Sequence, residues 1–172
     1  MTIIIGIDPG SRITGYGVVA MEKARAVHLT SGCIEIAELA FEDRLCVIFD
    51  AITAIVREFE PTEAAVEKIF MNRNADSAIK LGQARGAALV ALAKQGLAVH
   101  EYSPNQIKQA IVGRGHAEKA QVQHMIKALL SLSSAPKADA ADALATAMCH
   151  GHTQQGLVAV RSARRARAGR YS

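Results

Sequence analysis

Ile3-Ile4-Ile5-Gly6-Ile7-Asp8-Pro9-Gly10 decides how this chain is read. Three β-branched residues in a row, then a glycine and a further isoleucine, compose a strand buried on both faces. The run stops at an acid followed by Pro-Gly, a strong turn signal. A carboxylate therefore stands where a central strand ends. It adds nothing to a core and is costly if left unpaired in an apolar site. It reads as a ligand or catalyst at the rim of a sheet.

Outward from that strand, residues 13–21 read as a second strand, antiparallel to the first because the connection is short. Residues 27–36 supply a third. Phe41, Leu45, Ile48, Phe49, Ile52, Ile55, Val56 and Phe59 recur at three- and four-residue spacing, an amphipathic helix that Pro61 stops. Ala64-Ala65-Val66 is a short strand delivering a second acid, Glu67. Residues 74–95 read as a helix closed by Gly96, with a run of small residues that includes Gly82 and Gly86. Each interior glycine costs about 1 kcal/mol against alanine. Close packing should offset that, either onto the sheet or against a helix of a second copy.

Residues 97–102 form the fifth strand. Ser103-Pro104-Asn105-Gln106 has the form of a capping box with proline at the first helical position, opening a short helix to Gly113. Gly113-Arg114-Gly115-His116 is a flexible basic loop. Residues 118–130 form an amphipathic helix, and a last helix runs from about Lys137 to His150. The expected fold is α/β: a five-stranded mixed sheet, its first three strands antiparallel, flanked by helices. The first strand should be central, being the most apolar. This element order resembles that of ribonuclease-H-like folds. A single domain over residues 1–153 is expected, followed by a basic, disordered tail over 154–172.

Half of the 172 residues are hydrophobic, enough for a sizeable core. No apolar run approaches the roughly 18 residues of a membrane span. With no export signal at the N-terminus, the expected location is the cytoplasm, with no membrane partner. Cys33, Cys46 and Cys149 form no CxxC pair and read as buried, reduced thiols. The net charge of +4 conceals an asymmetry. Residues 22–67 hold ten acids and four bases, whereas residues 68–137 hold ten bases and three acids. The last twenty residues add five arginines and no acid. A solubilising surface is one reading; a polyanion such as nucleic acid is the favoured one.

Asp139 and Asp142, three apart, share one face of the last helix. Alone, the pair reads equally well as a solvated acidic face near a helix N-terminus. Taken with Asp8 and Glu67, it makes four acids that the topology can gather at one end of the sheet. Crowded carboxylates need counter-cations or must take up protons. Hard oxygen ligands select Mg²⁺ or Mn²⁺. Two such ions, about 3.5–4 Å apart, can clamp the attacking and leaving oxygens of an in-line displacement at phosphorus. His150 and His152 fall at an expected fraying helix end, where a metal role is disfavoured. His116 and His124 are expected in solvent. Gly10, Gly15 and Gly17 do not fit the spacing of a nucleotide-binding loop.

The segments GIDPGSRITGYGVV, VEKIFMNRNADSAIKLGQARGAA, VGRGHAEKAQVQ and DAADALATA resemble those of RuvC-type Holliday-junction resolvases, in the same order and over most of the chain. The resemblance implies metal-binding, catalytic roles for Asp8, Glu67, Asp139 and Asp142, with two Mg²⁺ ions per site and Mn²⁺ able to substitute. It places the aromatic that enters the junction on Phe70, and the basic residues near the scissile phosphate on Lys108 and Lys119. Arg73, Lys80 and Arg114, within or beside the same segments, are further expected DNA contacts. It also implies a homodimer that nicks a four-way DNA junction symmetrically, leaving 5′-phosphate and 3′-hydroxyl ends, and cooperation with RuvA and RuvB. Two competing readings are an actin-like or sugar-kinase ATPase, which also opens on Asp-x-Gly, and a non-catalytic DNA-binding scaffold.

Overall fold

The computed structural model describes residues 1–23, 25–69 and 74–168, with side chains through residue 156. Five strands, β1 (Thr2–Asp8), β2 (Ile13–Glu22), β3 (Arg25–Glu35), β4 (Glu63–Glu67) and β5 (Ala98–Tyr102), form one sheet in the order β3-β2-β1-β4-β5. β1 is central, as its composition predicts. It is antiparallel to β2 and parallel to β4, and β4 is parallel to β5. The helices are α1 (Phe41–Phe59), α2 (Ala75–Lys94), α3 (Pro104–Val112), α4 (Lys119–Leu129) and α5 (Ala138–Ala168).

Strand periodicity sorts the core into two layers. Ile5 and Ile7 of β1, with Ala64 and Val66 of β4, pack under Ile48, Ile52 and Val56 of α1 and Ala84, Ala88 and Leu92 of α2. Ile4 and Ala65 point the other way, into a layer closed by Ile107 of α3, Val122 and Ile126 of α4, and Leu144 and Met148 of α5. Asp8 and Glu67 follow Ile4 and Ala65 in phase. Because Ile7 pairs with Val66 in parallel register, both acids emerge side by side at the carboxyl ends of neighbouring strands, on the α5 face.

The helix ends follow their sequence signals. Ser103 and Gln106 close the capping box of α3 reciprocally, and Gly113 ends it in the left-handed region. Glu118 and Gln121 form a second capping box that presents Lys119 as the first residue of α4. The turn after Asp8 is held by buried Thr14, whose Oγ1 donates to the Gly10 carbonyl at 2.9 Å. Arg44 of α1 fastens the same turn, donating to the Ser11 and Ala37 carbonyls at 3.0 and 2.7 Å.

Three expectations need correction. α5 does not end near His150; it runs from Ala138 to Ala168. The run beyond Gly151 is rich in alanine, glutamine and arginine, all good helix formers, and needs no apolar face to propagate an established helix. His150 is therefore mid-helix and fully buried rather than at a frayed end. Of the cysteines, Cys149 is buried, Cys33 is half-buried and Cys46 is exposed on α1. His116 and His124 are exposed, as predicted. Among the described residues no helix is long and apolar enough to cross a membrane.

Candidate active site

Asp8, Glu67 and Asp142 line one cavity of 270 Å³, together with Lys108 and Lys119. Pro104, Ile107 and Val122 complete its wall. Four elements meet here. β1 and β4 supply the two strand-end acids, and α5 brings Asp142 across them. Lys108 in the second turn of α3 and Lys119 at the capped start of α4 stand opposite.

Glycines allow α5 to come so close. Gly6 pairs with Gly17 and Asp8 with Gly15 across β1 and β2, leaving a side-chain-free patch beside the acid. A Cβ on Gly15 would stand 2.0 Å from the Asp139 carbonyl oxygen, and one on Gly6 would stand 2.1 Å from that of Ala143. One on Gly17 would meet the Leu144 side chain at 2.7 Å. Such separations are far inside van der Waals contact, so only glycine lets this backbone-to-backbone approach exist. The sequence reading had no use for Gly15 and Gly17. The signal lay in their alternation, which puts both on one face of β2, in the phase of Asp8.

Burial and mutual repulsion disfavour the charged form of these acids. Burial, then the neighbouring Glu67, Asp142 and Asp139 charges, push the Asp8 carboxyl up to about 8. Asp8 then carries the proton of its hydrogen bond with Glu67. Burial also raises Glu67 and Asp142, while Lys119 and Lys108 pull both back down. Lys119 Nζ stands 3.7 Å from Asp142 Oδ2, beyond hydrogen-bond range, and its side chain is 80% exposed. It is free to turn to an incoming phosphate.

Asp139 stands apart from the other three. It lies in the first turn of α5 and lines a larger neighbouring cavity of 570 Å³ with Gly10, Ser11, Arg12, Ile69 and Leu81. Its charge nevertheless reaches both Asp8 and Asp142. The chemistry belongs to the smaller cavity, because the carboxylates and lysines converge there. Lys80 pairs with Asp76 at 2.8 Å on α2 and does not line it. Arg114 is exposed in the loop between α3 and α4. Phe70 and Arg73 lie outside the described residues.

The donor set fits a hard divalent ion. It is all oxygen, partly buried, and bordered by lysines that can balance a phosphate. The proton held between Asp8 and Glu67 marks where a cation would relieve repulsion.

A mixed sheet in this order, with carboxylates at the ends of β1 and β4 beneath the start of the last helix, defines a nuclease of the ribonuclease-H-like class. The family model described as "Crossover junction endodeoxyribonuclease RuvC" matches residues 4–150. A protein of that name from Shewanella amazonensis is 58% identical over 160 residues, covering 93% of this chain and 92% of its own. The Thermus thermophilus RuvC structure superposes with a TM-score of 0.81 at 36% identity, covering 90% of this chain and 97% of that one. The T. thermophilus RuvC in complex with Holliday junction substrate gives 0.84 at 35% identity, over 90% and 96%. The chain belongs to the RuvC family of crossover junction endodeoxyribonucleases. Neither the ATPase nor the scaffold reading is favoured.

Proposed function

We propose that this nuclease resolves four-way DNA junctions by paired, symmetric nicks, using Asp8, Glu67, Asp139 and Asp142 to hold two Mg²⁺ ions, for which Mn²⁺ can substitute. The observation that carries the reading is the convergence of three of these carboxylates with Lys108 and Lys119 on one cavity. Divalent ions held there would activate the attacking water and neutralise the departing 3′ oxygen, leaving 5′-phosphate and 3′-hydroxyl ends. Asp8 and Glu67 would hold the cation as carboxylates, without the proton of their mutual hydrogen bond. Lys119, mostly exposed at the start of α4, meets the scissile phosphate, where the helix N-terminus adds further positive potential. Lys108 offsets the acids from the opposite wall. Ile107 and Val122 keep the cavity narrow, which strengthens each of these interactions.

Symmetric cleavage needs two sites, and α2 supplies a surface for a second copy. Ile79, Gly82, Gly86 and Val90 fall on one stripe, with Ile79 and Val90 62% and 52% exposed. A Cβ on Gly82 or Gly86 meets nothing within 4 Å. Packing onto this chain's own sheet therefore does not account for those glycines; a helix of a partner copy would. Gly86→Arg is expected to shift the protein from dimer to monomer in analytical ultracentrifugation, and an unchanged dimer would exclude this face.

The bound junction in the T. thermophilus complex supports a four-way substrate. Phe70, Arg73, Lys80 and Arg114 are proposed DNA contacts on the strength of the family segments. Cooperation with RuvA and RuvB rests on the same resemblance, as does the division into a domain over 1–153 and a tail. A cytoplasmic setting agrees with three free cysteines. The test is incubation with a synthetic four-way junction and a matched linear duplex, with and without Mg²⁺. Symmetric, metal-dependent nicks on the junction alone are expected. Equal cutting of the duplex, or cutting without metal, would overturn the proposal.

A further inference from the structure

Glu63, His100 and His150 form a second cluster of ligand atoms, outside the acidic cavity. One such atom from each lies within 4.8 Å of the other two. The sheet makes this juxtaposition. Ala65 pairs with His100 and Glu63 with Ala98, so Glu63 and His100 are diagonal neighbours on the α5 face. α5 then lays His150 over both. His150 follows Asp142 by eight residues, about 12 Å along the helix. Glu63 precedes Glu67 by four, about 13 Å along the strand. The cluster thus occupies the opposite end of the same layer.

His150 has no exposed surface, yet both ring nitrogens are engaged. Nδ1 is 2.7 Å from the Tyr102 hydroxyl, and Nε2 is hydrogen-bonded to Glu63 Oε2. Burial lowers the imidazole's affinity for a proton, which favours the neutral, ligating form. Without metal, Nε2–H donates to Glu63 and Nδ1 accepts from the Tyr102 hydroxyl. Because a tyrosine oxygen can also accept, Nδ1 can take up the hydrogen and donate it to Tyr102 when an ion replaces the hydrogen on Nε2. That is the arrangement by which a hydrogen bond on one nitrogen orients a metal-binding histidine. His100 stacks on His150 with ring centroids 4.4 Å apart and planes 26° from parallel. Among the described residues it makes no hydrogen bond, so nothing in that network explains its presence. An ion shared by both imidazoles must lie near both ring planes, so His100 would turn about its side-chain bonds, and no hydrogen bond opposes that.

A cavity of 230 Å³ opens beside Glu63, lined also by Ile4, Met21, Gly151 and Gln155. Neither histidine lines it, so it offers space for water on the Glu63 side of the cluster. Two imidazole nitrogens and one carboxylate oxygen suit zinc and its neighbours in the first transition row, whereas Mg²⁺ prefers oxygen alone.

We propose that Glu63, His100 and His150 bind one transition-metal ion of the Zn²⁺ or Co²⁺ type, clipping β4, β5 and α5 together at the end of the sheet opposite the acidic centre. The experiment uses the full, tag-free, chelator-stripped chain carrying Asp8→Asn, so that the acidic centre is weakened. Co²⁺ is followed by its visible absorption and Zn²⁺ by calorimetry. One equivalent is expected to bind, to raise the melting temperature, and to resist competition by millimolar Mg²⁺. Adding His100→Phe or Glu63→Gln should weaken that binding at least tenfold, with the far-ultraviolet spectrum and the metal-free melting temperature nearly unchanged. These two side chains are partly exposed, so either variant keeps the test open if the other fails to fold. Absence of saturable Co²⁺ and Zn²⁺ binding, or unchanged affinity in both variants that fold, overturns the proposal.

Discussion

Replacing Asp8 by asparagine isolates the electrostatic strain of the acidic centre. The folded carboxyl is pushed up to about 8 from an ordinary value of 3.8. Below pH 4 it is protonated in both folded and unfolded chains and contributes nothing to the difference. Between pH 4 and 8 the unfolded chain releases the proton while the folded one retains it. Stability of the metal-free protein therefore falls as pH rises through that window. Each pKa unit is worth about 1.4 kcal/mol, so the whole shift amounts to about 6 kcal/mol. Asparagine keeps a donor for Glu67 and never ionises, so it escapes the loss. At about 2–4 °C per kcal/mol for a domain of this size, metal-free Asp8→Asn should melt on the order of 10 °C above the parent at pH 8. The two should converge near pH 4. Mg²⁺ should stabilise the parent and have little effect on the variant. Junction cleavage should vanish, with junction binding largely retained. Differential scanning fluorimetry across pH 4–8, in chelator and in Mg²⁺, reads all of this but the cleavage. A melting difference that does not change with pH would refute the crowding of Asp8 among other acids.

Gly15→Ala should drive the start of α5 off the sheet, because the new methyl would stand 2.0 Å from the Asp139 carbonyl oxygen. A loss of about 1–3 kcal/mol in urea unfolding is expected, with a larger fall in cleavage than in junction affinity. Parental stability and activity together would mean that α5 does not rest there. Lys119→Ala should leave stability nearly unchanged, since the side chain is mostly exposed. It should slow single-turnover cleavage on the order of tenfold or more and move its pH dependence upward, because Lys119 holds Asp142 down. A pH–rate profile superimposable on the parent's would remove Lys119 from the site.

Local signals made much of this readable. The β-branched run before Asp8 fixed the central strand, and the alternation of Ala64-Ala65-Val66 put Glu67 in phase with it. Pro61, Gly113 and the Ser103 capping box marked element ends that the structure keeps. What stayed hidden depended on contacts distant in sequence. The Tyr102–His150–Glu63 network needs β5 and α5 brought over β4, and nothing local in His150-Gly151-His152 announces it. The extent of α5 was underestimated because a missing apolar face was taken for a missing helix. Gly6, Gly15 and Gly17 read as plain strand residues, and their purpose shows only once α5 lies across them. Asp139 illustrates the limit of spacing: it shares a helix face with Asp142, yet it lines the adjoining cavity rather than the same one.

Diffraction from crystals of this protein soaked in Mn²⁺, measured at a wavelength where manganese scatters anomalously, tests the shared-cation account most directly. Anomalous density is expected in the cavity bounded by Asp8, Glu67 and Asp142, with Asp139 turned toward it. Density confined to other places, or those carboxylates left without an ion at saturating Mn²⁺, would contradict it.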